Sequence, residues 1–391
     1  MKKIIAALNA NPMFHMSLAS KELFHSNFLY WLWKLDASQF LTLLDKLLGV
    51  SLLKSLHPDN LSPDSIEVKR EYQHFDLCVL KKGTNKVLLV IENKVKSIPY
   101  VEQLNEYTGK LDKDCKKVLL TLMQNFPDKE NVRNDNWIII DYNLLATRIK
   151  ECFSSITGSE KIFIDHYLEF IKQLNGLVKE WLDDYNNRKL VLLNEDIHNA
   201  AYELRLHDLY GKLYYSRMAA ELKDKLASQG VNLSNISVSS SYSDQMPLFD
   251  VTIRNVIDTE TEFIIQVQGT SYRHAVARPN ISYADLCKEM DANDPLHNAV
   301  REIWWPDGYF IQKRRKGNLG YNKFDLKSVK GCFIYKYITL VNSSTGCNNE
   351  VDADIDKLIE YVVNEVKAIY RWKKEMQNKK LIPPTYETIH Q

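Results

Sequence analysis

No cysteine pair of the C-x-x-C type occurs among the six cysteines of this 391-residue chain, Cys78, Cys115, Cys152, Cys287, Cys332 and Cys347. That scatter suggests neither a disulfide framework nor a zinc knuckle and fits reduced thiols in a cytoplasm. Charge of one sign is also missing, since Lys and Arg total 51 against 50 for Asp and Glu. That balance gives no electrostatic argument for a general polyanion binder, and any nucleic-acid contact has to come from local patches. No run approaches the roughly 20 apolar residues that span a bilayer. The opening Met1-Lys2-Lys3 and Ile4 to Leu8 is similar to the start of a secretion signal, but Asn9 and Asn11 interrupt it early. A cytoplasmic protein without membrane contact is the expectation.

What is present is an ordinary globular composition, 45% hydrophobic and 26% charged, long enough for two domains. We place them at 1–190 and 191–391. From Ser20 to Leu48 apolar residues recur at helical spacing, with Ser20 as N-cap, Gly49 as C-cap and a break near Asp36. Glu22, His25 and Ser26 share one side of its first turns, His25 as a structural hydrogen-bonding group. Residues 57–64 read as a loop and Ile66 to Leu80 as extended chain. Lys81 to Asn85, with Gly83, makes a hairpin turn before Val87 to Ile91, a continuous β-prone run that predicts a strand covered on both faces. A helix from Pro99 to about Lys113, strands at Val118 to Met123 and Trp137 to Ile140, and helical sequence from Tyr142 to about Asn187 complete an α/β sandwich.

The chemistry concentrates between Phe75 and Tyr107. With the hairpin turning near Gly83 and Thr84, Asp76 lies opposite a position close to Glu92 on the neighbouring strand, and Glu92 and Lys94 point to one face of their strand. Converging carboxylates repel unless a cation neutralises them. Mg²⁺ suits one or two carboxylates plus waters and phosphate oxygens, and a neighbouring lysine offsets transition-state charge. Metal-assisted phosphodiester hydrolysis follows from that set.

Asp76, Glu92-x-Lys94 and Gln103-x-x-x-Tyr107 together resemble the PD-(D/E)XK nuclease superfamily, and more narrowly its RecB-like branch with a QxxxY helix. The segment Glu22 to Leu29 is similar to the N-terminal helix of bacterial members of this size. Phe75 stands where the first motif has proline. The resemblance implies a restriction-endonuclease-like αβ sandwich, a mixed sheet flanked by helices. It further implies Asp76, Glu92 and Glu22 as ligands of Mg²⁺ or Mn²⁺, Lys94 as the residue assisting water, and Gln103 and Tyr107 on the substrate backbone. DNA as substrate, and defence against foreign DNA or DNA repair as context, are its functional implications.

The second half repeats the order of elements: helical sequence from Asn194 to Gln229, then extended segments at Ser237 to Ser243, Leu248 to Val256, Glu262 to Gln268 and Gly331 to Leu340, and a helix over Asp352 to Gln377. Tyr272 to Asp325 reads as irregular and aromatic-rich. Asp250 precedes Gln266 by sixteen residues, as Asp76 precedes Glu92. A second α/β domain, a degenerate copy of the first serving recognition, is expected, with Arg273 and the run Lys313, Arg314, Arg315 as nucleic-acid contacts. The competing reading is a non-catalytic nucleic-acid-binding or assembly protein with a vestigial site.

Overall fold

The computed structural model describes residues 1–17, 21–49, 63–97, 99, 101–123, 126, 129–190, 195–243, 246–269, 271–279, 281–305, 320–326, 329–340 and 354–382. The chain forms two compact units, Met1–Asn187 with Glu195–Tyr214, and Arg188–Asn194 with Tyr215–Gln391. Among the described residues no helix is long and apolar enough to cross a membrane.

The first unit opens with α1 (Lys2–Ala10) and α2 (Pro12–Met16). Neither was anticipated, because the run resembles a leader. Asn11 separates them, its side chain accepting from the Met13 N–H at 2.8 Å. The expected N-cap Ser20 lies outside the described residues; α3 (Glu22–Leu35) starts after Lys21, and Asp36 then caps α4 (Ala37–Leu48) by accepting from Gln39 N–H. Gly49, at φ 67°, ends α4 in a left-handed conformation that favours glycine.

Five strands follow in spatial order β1-β2-β3-β4-β5: β1 (Ile66–Tyr72), β2 (Phe75–Lys81), β3 (Val87–Lys94), β4 (Lys116–Thr121) and β5 (Trp137–Asp141). The first three are antiparallel, and β3, β4 and β5 are parallel, giving the mixed sheet. The chain expected to run extended from Ile66 to Leu80 is thus two strands, divided by a two-residue turn at Gln73-His74 that lacks the usual Gly, Asn or Asp signal. Every residue of β3 is buried, as a strand covered on both faces requires.

Between β3 and β4 lies α5 (Val101–Thr108), which stops short of Lys113 where Gly109 follows. Next come α6 (Lys129–Asn134), α7 (Tyr142–Cys152) and α8 (Gly158–Tyr185). The helical run expected from Tyr142 is interrupted at 153–157, with Gly158 at φ 72°. Helix α3 packs on β1, β2 and β3, while α7 packs on α4, α8 and β5. The unit also includes α9 (Glu195–Glu203) and His207–Tyr214 of α10 (His207–Ser228).

The second unit is built on an all-antiparallel sheet of order β10-β11-β9-β8-β7-β6. Its strands are β6 (Ile236–Ser243), β7 (Met246–Ile253), β8 (Glu262–Gln268), β9 (Ser271–Pro279), β10 (Gly320–Leu326) and β11 (Val329–Thr339). Helices α11 (Tyr283–Met290), α12 (Pro295–Trp304) and α13 (Ile355–Asn378) complete it. The region expected to be irregular therefore holds two strands and two helices. Its polar letters misled: His274 is 3% exposed, its Nδ1 at 2.8 Å from the Trp304 carbonyl oxygen and its Nε2 at 2.8 Å from the Glu365 carboxylate. The likeness to the first unit extends over the β6-β7-β8 meander and ends there. Strand β8 turns straight back into antiparallel β9, where β3 crosses over through α5 to a parallel neighbour.

Candidate active site

Strand β3 ends in three polar residues, Glu92, Asn93 and Lys94, that are nonetheless buried, at 4%, 0% and 7% exposure. Polar side chains in such a place need partners, and the partners assemble the site. The last ladder pair on the β2 side is Leu77 with Ile91, so Asp76 is the next residue beside Glu92. On the other side Glu92 pairs with Leu119 and Lys94 with Thr121, neither of them charged. Glu92 and Lys94 share one face by the period of the strand, and Lys94 Nζ donates to Glu92 Oε1 at 2.9 Å.

Asn93 supplies the frame. Its backbone N–H donates to Asp76 Oδ2 at 2.7 Å, its Nδ2 donates to Ser26 Oγ at 2.6 Å, and Tyr142 O–H donates to its Oδ1 at 3.2 Å. Ser26 Oγ in turn donates to the Glu22 carbonyl oxygen at 3.3 Å. Glu22 Oε1 accepts from Ser97 N–H at 3.1 Å, which fixes the first turn of α3 over the end of β3. His25, fully buried, sits at 3.0 Å from Tyr167 O–H through Nδ1 and packs its ring on Phe170. Burial pulls its pKa down to about 3, so it is a neutral structural ring, as expected.

The electrostatics record an excess of negative charge. Burial, then the Glu92 and Glu22 carboxylates, raise the Asp76 pKa to about 7 against the Asn93 N–H and Lys94. Burial also raises Glu92, with Lys94 opposing and Glu22 adding to it. Burial pulls Lys94 down, but Glu92, Glu22 and Asp76 outweigh it and hold the ammonium charged. Three carboxylates thus face one ammonium, and every net shift favours holding a proton. Glu92 Oε2 is buried with no hydrogen-bond partner. A buried carboxylate oxygen without a donor is costly, and a hard cation removes that cost.

Residues 11–172 match the family model of the PD-(D/E)XK nuclease superfamily. This segment belongs to the PD-(D/E)XK nuclease superfamily. No curated protein and no solved structure matches the chain. The nuclease match runs from α2 into the first half of α8 and so contains every residue of the site just described.

Among the described residues no three His, Cys, Asp or Glu side chains close into a cage for a metal. That is compatible with Mg²⁺ in a PD-(D/E)XK nuclease, which needs one or two protein carboxylates and takes its other oxygens from water and substrate. Glu92 Oε2 and the surplus carboxylate charge fit such an ion.

The remaining expected residues fall in three places. Gln103 and Tyr107 are on α5, joined by a 2.9 Å hydrogen bond from Nε2 to the phenolic oxygen, with the Tyr107 ring edge-on to Phe75. Arg273 is in the second unit on β9, donating to Gln266 Oε1 at 2.8 Å with its guanidinium over the Tyr335 ring. Lys313, Arg314 and Arg315 lie outside the described residues. Sequence reasoning passed over Asn93, whose signal was a polar residue continuing an apolar strand, and Tyr142, which carried none.

Proposed function

We propose that the first unit is a divalent-metal-dependent nuclease that hydrolyses phosphodiester bonds in DNA, of the RecB-like type. The observation that carries this is the buried, partnerless Glu92 Oε2 beside Asp76, within a surplus of carboxylate charge. Asp76 and Glu92 would hold Mg²⁺ or Mn²⁺, with Glu22 at the edge of the shell. When bound, such an ion polarises a phosphoryl oxygen and acidifies a water. Lys94, kept as an ammonium by three carboxylates, donates hydrogen bonds to the attacking water or to the phosphoryl oxygens as charge builds there. Asn93 holds Asp76 through its N–H, and Ser26 and Tyr142 hold Asn93, so the carboxylate keeps its direction without solvent support. Gln103 and Tyr107, on the helix that follows, take the substrate backbone.

In this reading the second unit binds substrate or a partner, with Arg273 and Lys313, Arg314 and Arg315 as its basic contacts, and the protein serves in defence against foreign DNA or in DNA repair. The deciding experiment is cleavage of linear duplex, circular and single-stranded DNA, and of RNA, with Mg²⁺ or Mn²⁺. Loss of cleavage in Glu92→Ala and Lys94→Ala variants that keep the wild-type circular dichroism spectrum supports the reading. If the wild-type chain cuts none of these, a binding or assembly protein with a vestigial site replaces it.

A further inference from the structure

The turn between β1 and β2 is built against the preferences of its own backbone. Tyr72 pairs with Phe75, leaving Gln73 and His74 as a two-residue connection, and both have positive φ, 53° and 74°. Two left-handed residues in a two-residue hairpin are the signature of a type I′ turn, which selects Asn-Gly, Asp-Gly or Gly-Gly because a Cβ is strained there. Glu71, just before the turn, also has a positive φ of 50°. Three strained positions in four residues, none of them glycine or asparagine, call for a reason outside folding.

The surroundings supply one. Gln73 and His74 are exposed, so neither side chain offsets the strain through burial. His74 precedes Asp76 by two residues, which places the turn within about 7 Å of backbone from the site. Phe75, between them, packs on Tyr107 of α5. Strand β1, on the far side of the turn, carries Lys69 and Arg70, with the Lys69 ammonium over Tyr72 and the Arg70 guanidinium over Tyr30 of α3. The strained turn therefore stands where the aromatic and charged edge of β1, with Glu67 and Glu71 beside Lys69 and Arg70, meets the rim of the site.

We propose that Gln73 and His74 form a substrate-contacting tip that grips the nucleic-acid strand beside the scissile phosphate, and that the left-handed backbone is retained to aim these two side chains. The proposal rests on the nuclease reading. Amide and imidazole side chains offer directional ring or amide hydrogen bonds, which suit base edges as well as phosphates.

Two double variants of the full chain test it. Gln73→Asn/His74→Gly installs the sequence that a type I′ turn prefers and removes both contacts; melting temperature rises by about 5 °C while affinity for oligonucleotides, measured with Ca²⁺ in place of Mg²⁺, falls about tenfold. Gln73→Ala/His74→Ala removes the contacts but keeps the strain, and shows the same loss of affinity with no rise in melting temperature. An unchanged slope of log affinity against log salt in the variants identifies base contacts, and a shallower slope identifies phosphate contacts; either supports the tip. A wild-type chain that binds and cleaves, with both variants within twofold of it, overturns the tip and leaves the nuclease reading standing. A wild type that neither binds nor cleaves overturns both.

Discussion

Two hairpins in this molecule present an acid across from a second polar side chain, and they settle the same electrostatic problem in opposite ways. In the second unit Asp250 pairs directly with Gln266, whose Nε2 donates to Asp250 Oδ1 at 3.0 Å, and Arg273 donates to Gln266 Oε1 at 2.8 Å. Arginine, amide and carboxylate form a chain in which each link has a donor and an acceptor. In the first unit the same offset places Glu92 beside Asp76, and the result is like-charge repulsion and an oxygen without a donor. The change from amide to carboxylate removes the donor that Asp250 has and leaves an arrangement that an added cation would complete.

The largest expected effect breaks that difference. Glu92→Gln gives the first hairpin the amide of the second, and cleavage falls at least about 10³-fold, roughly 4 kcal/mol of transition-state stabilisation. The same variant loses the rise in melting temperature that Mg²⁺ or Mn²⁺ produces in the wild type, a readout independent of turnover.

Next in size are stability changes with pH. Asp76 and Asp250 both bind a proton more tightly folded than unfolded, with pKa values raised from 3.8 to about 7 and about 6, in each case first by burial. Their contribution to stability is complete below pH 3.8 and is lost as pH rises through the folded value. Asp76→Asn therefore leaves stability near wild type in acid and raises it at pH 8, by up to about 4 kcal/mol. Asp250→Asn behaves likewise over the narrower window, by up to about 3 kcal/mol. Mg²⁺ shrinks the gain of Asp76→Asn and leaves that of Asp250→Asn untouched; urea titrations at pH 3.5 and 8, with and without the ion, check all four values.

The smallest effect is at the α5 pair. Tyr107→Phe removes the acceptor for Gln103 Nε2 and raises KM for DNA about threefold while turnover stays nearly constant. A roughly hundredfold loss of turnover would instead place Tyr107 among the groups that touch the reacting phosphate.

Much of this was written in local sequence. Val87 to Ile91 announced a doubly covered strand, Asp36 announced the break between α3 and α4, and the sixteen-residue offset marked both hairpins. These signals are local because a strand period or a cap depends on a few neighbours. What stayed hidden depends on distant partners. Ser271–Pro279 became a buried strand only because Trp304, Trp305 and Glu365 satisfy the polar groups of its middle residues. The turn at Gln73-His74 broke the usual residue preferences and so left no mark. Asn93 gave no sign that it joins β2, α3 and α7, since its partners come from residues 67 positions before and 49 after it.

That last connection sets an order of events in synthesis. Glu22, Asp76, Glu92 and Lys94 are all made within the first quarter of the chain, yet the group that completes the hold on Asn93 arrives only with Tyr142. A nascent chain thus carries these acid and base groups well before it has the frame that holds them in place, and on the nuclease reading proposed above any ability to cut would come late, with that frame.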